Sequence, residues 1–136
     1  MSTPRHQARE AALGALYLWE MGRTDPAQAL ETFFEEHAPD ASESVRAFAS
    51  QIVLGTAAET AELDTLIATH SAHWRVERLA VIDRLILRMA AWELQHATDT
   101  PAPVVMNEAL ELARTFSTDD SVRFVNGVLD GIRKAL

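Results

Sequence analysis

Asp119-Asp120-Ser121-Val122-Arg123-Phe124-Val125-Asn126-Gly127-Val128-Leu129-Asp130 is the stretch on which the fold turns. Its centre, Asn126-Gly127 between Val- and Phe-rich flanks, is the strongest short signal for a β-hairpin. Its beginning says otherwise. Ser117-Thr118-Asp119-Asp120 supplies hydroxyl caps followed by acids, the chemistry of a helix N-terminus. Val122, Val125, Leu129 and Ile132 then recur at helical spacing. A helix that carries Gly in its middle gives up about 1 kcal/mol. A hairpin would need strand partners, and no other segment alternates with period two. The helical reading therefore predicts a last helix from about Asp119 to Ala135. In that reading Gly127 admits the close approach of a neighbouring helix.

Outward from this stretch, helical periodicity dominates, punctuated by five Gly and five Pro. Thr3-Pro4 is a cap followed by Pro at the first helical position, opening a helix to about Met21 that ends at Gly22. Asp25-Pro26 starts a second, to about His37, with Pro39 behind it. Ser42 or Ser44 caps a third, with Val45, Phe48, Ile52 and Val53 on its inner face. A fourth spans about Thr60 to His70, burying Leu63, Leu66 and Ile67. Residues 71–76 read as a loop around Trp74. A long helix from about Glu77 to His96 has Ile82, Leu85, Ile86, Met89 and Trp92 as its apolar stripe. A loop through Thr98 to Pro103 precedes a helix over about 103–116 that buries Val105, Ala109, Leu112 and Phe116. The expected fold is all-α, about seven helices in two packed bundles forming one domain over 1–136. The softest boundary lies near residues 70–76, dividing an N-terminal bundle (about 1–70) from a C-terminal one (about 71–136).

Composition narrows the function classes. The chain has 136 residues, 48% of them hydrophobic, enough for a core. It has no cysteine, so neither a disulfide framework nor thiol chemistry is available. Apolar runs are short and broken by charge, and the start lacks an apolar signal region. The expectation is a cytoplasmic protein with no membrane association. The net charge of −8 argues at first against a polyanion partner. Its distribution reverses the argument. Residues 1–24 hold three Arg against two Glu, residues 25–70 one Arg against nine acids, and residues 71–136 eight basic side chains against nine acids. The excess negative charge sits in one segment, and both ends of the chain tolerate a polyanion.

Several constellations carry possible chemistry. In the first helix His6, Arg9, Leu13 and Tyr17 fall along one ridge with Arg5 beside it. Arginines beside an aromatic ring suit single-stranded RNA, through phosphate contacts and base stacking. The alternative is a solvated first turn with Tyr17 in the core. Asp83, Arg84 and Arg88 share the long helix, with the two Arg at i, i+4. They extend a basic surface, or Arg88 is a buried partner of Glu93 or Glu108. Asp120, Arg123, Phe124 and Asn126 lie within two turns of the last helix and combine stacking with amide readout. The alternative is a core Phe124 behind a capping Asp. His70 and His73, near Asp64 and Glu77, lack a third ligand at a diagnostic spacing and read as solvated loop histidines. Asn107, Glu108 and Glu111 have no nucleophile or phosphate loop beside them and read as surface groups. No metal or cofactor is called for.

In order along the chain, these segments resemble the NusB family of transcription antitermination factors. The resemblance rests on Ala8 to Glu20, on Trp74 followed by Ile82 to Leu94, and on Pro101, Val105, Asn107-Glu108-Ala109 and Leu112-Ala113. Its most specific piece is Asp120-Ser121 with Phe124-Val125-Asn126-Gly127-Val128-Leu129-Asp130. The resemblance implies two packed helical bundles and no catalysis. It implies a partner, NusE, which is also a small-subunit ribosomal protein. It implies a ligand, the boxA element of nascent ribosomal RNA, and a role helping RNA polymerase resist termination. By position, Arg5, His6, Arg9, Tyr17, Asp83, Arg88, Asp120, Arg123 and Phe124 would contact RNA. Asn126 is a further candidate, and Arg84 is added on charge alone. One departure stands out: well-studied members open with an arginine-rich run, whereas Arg5 and Arg9 are flanked here by His6 and Gln7. Three other readings compete. One is a domain of the same fold acting in trans with a ribosomal RNA methyltransferase. Another is a small all-α enzyme built on Arg84, Arg88 and Glu108. The last is a homodimeric storage form that hides the RNA surface.

Overall fold

A computed structural model describes residues 2–22, 24–71, 75–96 and 99–136. Among these residues the chain is all-α. The helices are α1 (Pro4–Gly22), α2 (Pro26–His37), α3 (Glu43–Ala58), α4 (Thr60–His70), α5 (Val81–His96), α6 (Ala102–Phe116) and α7 (Asp119–Ala135), with a 3-10 turn at Val76–Arg78. Local chemistry explains most ends. The Thr3 hydroxyl accepts from the His6 N–H at 3.0 Å to open α1. Asp25 caps α2 through the Gln28 N–H at 2.9 Å, with Pro26 behind it. Ser42 accepts from the Val45 N–H at 3.2 Å. Thr118 accepts from the Ser121 N–H at 3.1 Å to start α7. Each cap satisfies a donor that the first turn leaves without an intrahelical partner.

Two compact units result, Met1–Ala58 and Glu59–Leu136. In the first, α1 packs on α2 and α3. The buried face of α1 is mostly alanine (Ala8, Ala11, Ala12 and Ala15, with Leu13 and Leu16), which lets helices sit close. Against it stand Ala29, Leu30 and Phe34 of α2 and Val45, Ala49, Ile52 and Val53 of α3. A methyl group on Gly14 would overlap the Phe33 ring, so this is a point of close approach. Arg46 closes the turn between α2 and α3. Its guanidinium donates to the Pro39 carbonyl at 2.7 Å and the Ala41 carbonyl at 3.0 Å, and lies over the Phe34 ring.

In the second unit α5 is the central element, packed by α4, α6 and α7. Leu85 to Ala91 is buried without interruption, the pattern of a helix surrounded by others rather than one with a single apolar stripe. Each fully buried Leu or Ile there is worth about 1.5–3 kcal/mol relative to exposure. Leu63 and Ile67 of α4, Val105, Ala109 and Leu112 of α6, and Val125, Val128, Leu129 and Ile132 of α7 complete this core.

Four expectations need correction. The division between units falls at Ala58–Glu59 rather than at 70–76, because α4 packs with α5 and α7. The long helix begins at Val81, since Leu79 is extended (ψ 150°) and separates it from the 3-10 turn that buries Val76. Phe116 is 46% exposed, because it ends α6 where the chain turns toward Ser117. The close approach on α7 is not at Gly127, which has open space beyond it, but at Gly131. A methyl group there would lie 2.8 Å from Nδ1 of His70. His73 and Trp74, on which the histidine pair and part of the resemblance rested, lie outside the described residues, as does Thr98. Among the described residues no group of three metal-ligating side chains forms, and no helix is long and apolar enough to cross a membrane.

Candidate nucleic-acid interface

The first cluster lies in the N-terminal unit. Successive turns of α1 carry Arg5 and Arg9 to the same side. Phe48 of α3 lies beneath them: the Arg5 guanidinium is 3.9 Å from its ring centroid and that of Arg9 is 5.1 Å away. The ring's negative face attracts both cations and restricts where they point. Arg5 is exposed, whereas Arg9 is 3% exposed. His6 is half-buried, with Nε2 at 3.6 Å from Glu10. Tyr17 is 41% exposed, which removes the core alternative for that ring. The predicted ridge is therefore not uniformly exposed, because Arg9 and Leu13 turn inward between His6 and Tyr17. Phe48 escaped the sequence reading because helical spacing assigned it to the core. It is half-buried, with the guanidinium groups of Arg5 and Arg9 over its ring.

The second cluster lies in the C-terminal unit. Arg78, Leu79, Ala80, Asp83, Asp120, Ser121 and Phe124 line a groove of about 310 Å³. Its position follows from the break before α5, which turns Leu79 and Ala80 against the first turns of α7. Phe124 is half-buried at its wall, so it is neither a core ring nor a free one. Arg123 is exposed and ion-paired with Asp120 three residues before it. Asn126 is exposed one turn beyond. Asp83 is 7% exposed. Its Oδ1 accepts from the Ser117 hydroxyl and its Oδ2 from the Ser121 hydroxyl, both at 2.7 Å. Three predicted residues, Asp83, Asp120 and Phe124, thus meet in one groove. Arg78 was missed. It was assigned to the long helix, and only the break at Leu79 brings it to the groove.

Arg88 does not extend an exposed basic surface. It is buried and forms a bidentate pair with Asp64 of α4, Nε to Oδ1 at 2.7 Å and Nη2 to Oδ2 at 2.8 Å. Sequence spacing could not show this partner, because the two residues come from different helices. Arg84 is half-buried. Of the α6 residues read as surface groups, Asn107 is exposed, Glu108 is half-buried, and Glu111 pairs with Arg114.

Comparison with known proteins identifies the family to which this chain belongs. The sequence pattern of the NusB family matches residues 6–134. The transcription antitermination protein NusB of Symbiobacterium thermophilum is 47% identical over 138 residues, covering 97% of this chain and 90% of the relative. That of Solibacter usitatus is 41% identical with the same coverage. Among solved structures, T. maritima NusB superimposes with a TM-score of 0.89 at 36% identity, covering 98% of this chain and 93% of its own. The structure of antitermination factors NusB and NusE in complex with dsRNA matches with a TM-score of 0.90 at 26% identity, over the full length of both chains. The chain belongs to the NusB family.

Proposed function

We propose that this protein is a non-catalytic, RNA-binding transcription antitermination factor. With NusE it binds the boxA element of nascent ribosomal RNA and helps RNA polymerase resist termination. The observation that carries this reading is the end-to-end likeness to a chain in a NusB–NusE–dsRNA structure. The side chains are consistent with it. The N-terminal unit offers Arg5, His6, Arg9 and Tyr17. The C-terminal unit offers a groove lined by Asp83, Asp120 and Phe124, then Arg123 and Asn126 on the same helix as Phe124, and Arg84 and Arg88 on α5. An aromatic wall beside acceptors and a guanidinium suits unstacked bases more than a duplex, whose base edges are already paired.

The test is binding to a single-stranded boxA RNA oligonucleotide at fixed salt, with and without NusE. Addition of NusE should raise the affinity, and Phe124→Ala should weaken it while leaving helicity unchanged. Equal affinity with and without NusE would sink the reading. Turnover of a small substrate that disappears in Glu108→Ala would favour an enzyme instead.

A further inference from the structure

The groove in the C-terminal unit is organised around a carboxylate whose two oxygens are both engaged. Asp83 lies in the first turn of α5. Ser117 is the residue at which α6 ends, and Ser121 lies in the first turn of α7. The Ser117 hydroxyl donates to Oδ1 and the Ser121 hydroxyl to Oδ2, each at 2.7 Å. The two serine oxygens are 2.9 Å apart. Ser121 also accepts from the Thr118 hydroxyl at 3.0 Å, and Thr118 is the cap that starts α7. One carboxylate therefore ties together the start of α5, the end of α6 and the start of α7. Hydrogen bonds from hydroxyls to a carboxylate are stronger than neutral ones, and both of these are well formed at 2.7 Å. Asp120 and Phe124 hang from the same two turns of α7 that this network holds. A tilt of those turns would move both relative to Arg78 and Leu79 across the groove.

We propose that Asp83 is a positioning residue: through Ser117 and Ser121 it fixes the first turns of α7, and so the placement of Phe124 and Asp120 in the groove, rather than contacting RNA itself. This rests on the RNA-binding reading above. It gives Asp83 a role different from the one its place in the family resemblance implied. It also assigns a binding role to Ser117, which does not line the groove.

Ser117 supplies the discriminating variant, since its removal leaves every groove-lining side chain in place. The probe is the single-stranded boxA RNA oligonucleotide, with the full chain and NusE. Ser117→Ala should weaken binding about threefold to tenfold, as when the competent placement of α7 falls to roughly a third to a tenth of the population. Helicity should be unchanged. Ser117→Thr, which keeps the hydroxyl, should restore binding. In an Asp83→Asn background, Ser117→Ala should cost little more, because both act on one network. Wild-type binding by Ser117→Ala, alongside weakened Asp83→Asn and Phe124→Ala, would overturn the inference and make Asp83 a direct contact. Full additivity of the Ser117 and Asp83 losses would overturn it too. Wild-type binding by Phe124→Ala would instead remove the RNA-binding groove itself.

Discussion

Phe48 is the side chain through which the N-terminal cluster is arranged. Arginine carries a large rotamer entropy, and ordering one such side chain at an interface costs about 0.5–1.5 kcal/mol. A ring already beneath Arg5 and Arg9 removes part of that cost before RNA arrives. Phe48→Leu keeps apolar packing and removes the π face. It should weaken boxA oligonucleotide binding by about 1 kcal/mol, roughly fivefold, and Phe48→Trp should preserve it. Unchanged affinity in Phe48→Leu, with Arg5→Ala still impaired, would show that Arg5 needs no platform. Arg88 poses the opposite case, a cation committed to structure. Removing one partner of a buried pair costs about 3–5 kcal/mol. Asp64 keeps 31% of its side-chain surface, so solvent recovers part of this. Asp64→Ala should lower unfolding free energy by about 2–3 kcal/mol in urea titrations. A loss under 0.5 kcal/mol would mean that the pair is not structurally important. Arg5 and Arg88 look alike in the sequence. Only the helix opposite each one separates a surface cation from an internal one.

At the scale of the element, α7 shows what periodicity can and cannot deliver. Most of its apolar face was legible: Val125, Leu129 and Ile132 are buried as their spacing required, and Val122, near the start of the helix, is half-buried. Its caps were legible too, because Thr118 precedes two acids. What spacing could not decide was which of two glycines, four residues apart and nearly on one face, meets another helix. That depends on where α4 ends, a long-range fact. The structure answers with His70 against Gly131 and open space at Gly127. The two positions should respond oppositely to the same substitution. Gly127→Ala should stabilise by up to about 1 kcal/mol, near the full helix-propensity difference. Gly131→Ala should destabilise, since the methyl would press on the root of the His70 ring, and His70→Ala should relieve much of that loss. Thermal unfolding of the three variants tests this, and a rise in Tm for Gly131→Ala would contradict the packing. The last turn carries a pH-dependent element as well. The Lys134 side chain, hydrogen-bonded to Asp130 at 2.9 Å, holds the Asp130 carboxyl below its ordinary pKa. A lowered carboxylate pKa contributes stability above the unfolded value and loses it as pH falls through the folded one. Lys134→Gln should return the Asp130 titration, followed by carboxyl NMR, toward the ordinary value.

For the whole molecule, charge decides how RNA can be held. The fold class, the helix order and the family were all legible because they depend on patterns repeated along the chain. The groove was not, because it needs the break at Leu79 to set Arg78 against α7. The electrostatic consequence combines both kinds of information. Each phosphate contact on a single strand contributes about 0.7 to the slope of log K against log salt. Of the predicted cations, Arg88 is paired with Asp64 and Arg123 with Asp120, and pairs formed within the protein release few RNA counterions. Arg5, exposed on α1, is then the phosphate contact this surface predicts, with Arg9 buried behind it. The chain alone should show a shallow slope, of magnitude about 0.7 for the one exposed arginine of α1. The nine acids of residues 25–70 should contribute only a screened background beyond a Debye length of about 8–10 Å. Reversing Glu31, Glu35 and Glu36, all exposed on α2, should therefore change affinity by less than about threefold at 0.15 M salt and leave the slope within error. A steeper slope in that variant would place α2 beside the RNA path. With NusE present, the same titration assigns the remaining phosphate contacts. A slope that steepens on adding NusE, while Arg5→Ala still reduces it by about 0.7, puts the added contacts on NusE. An unchanged slope with higher affinity would mean that NusE acts by ordering the α1 and α7 surfaces already present.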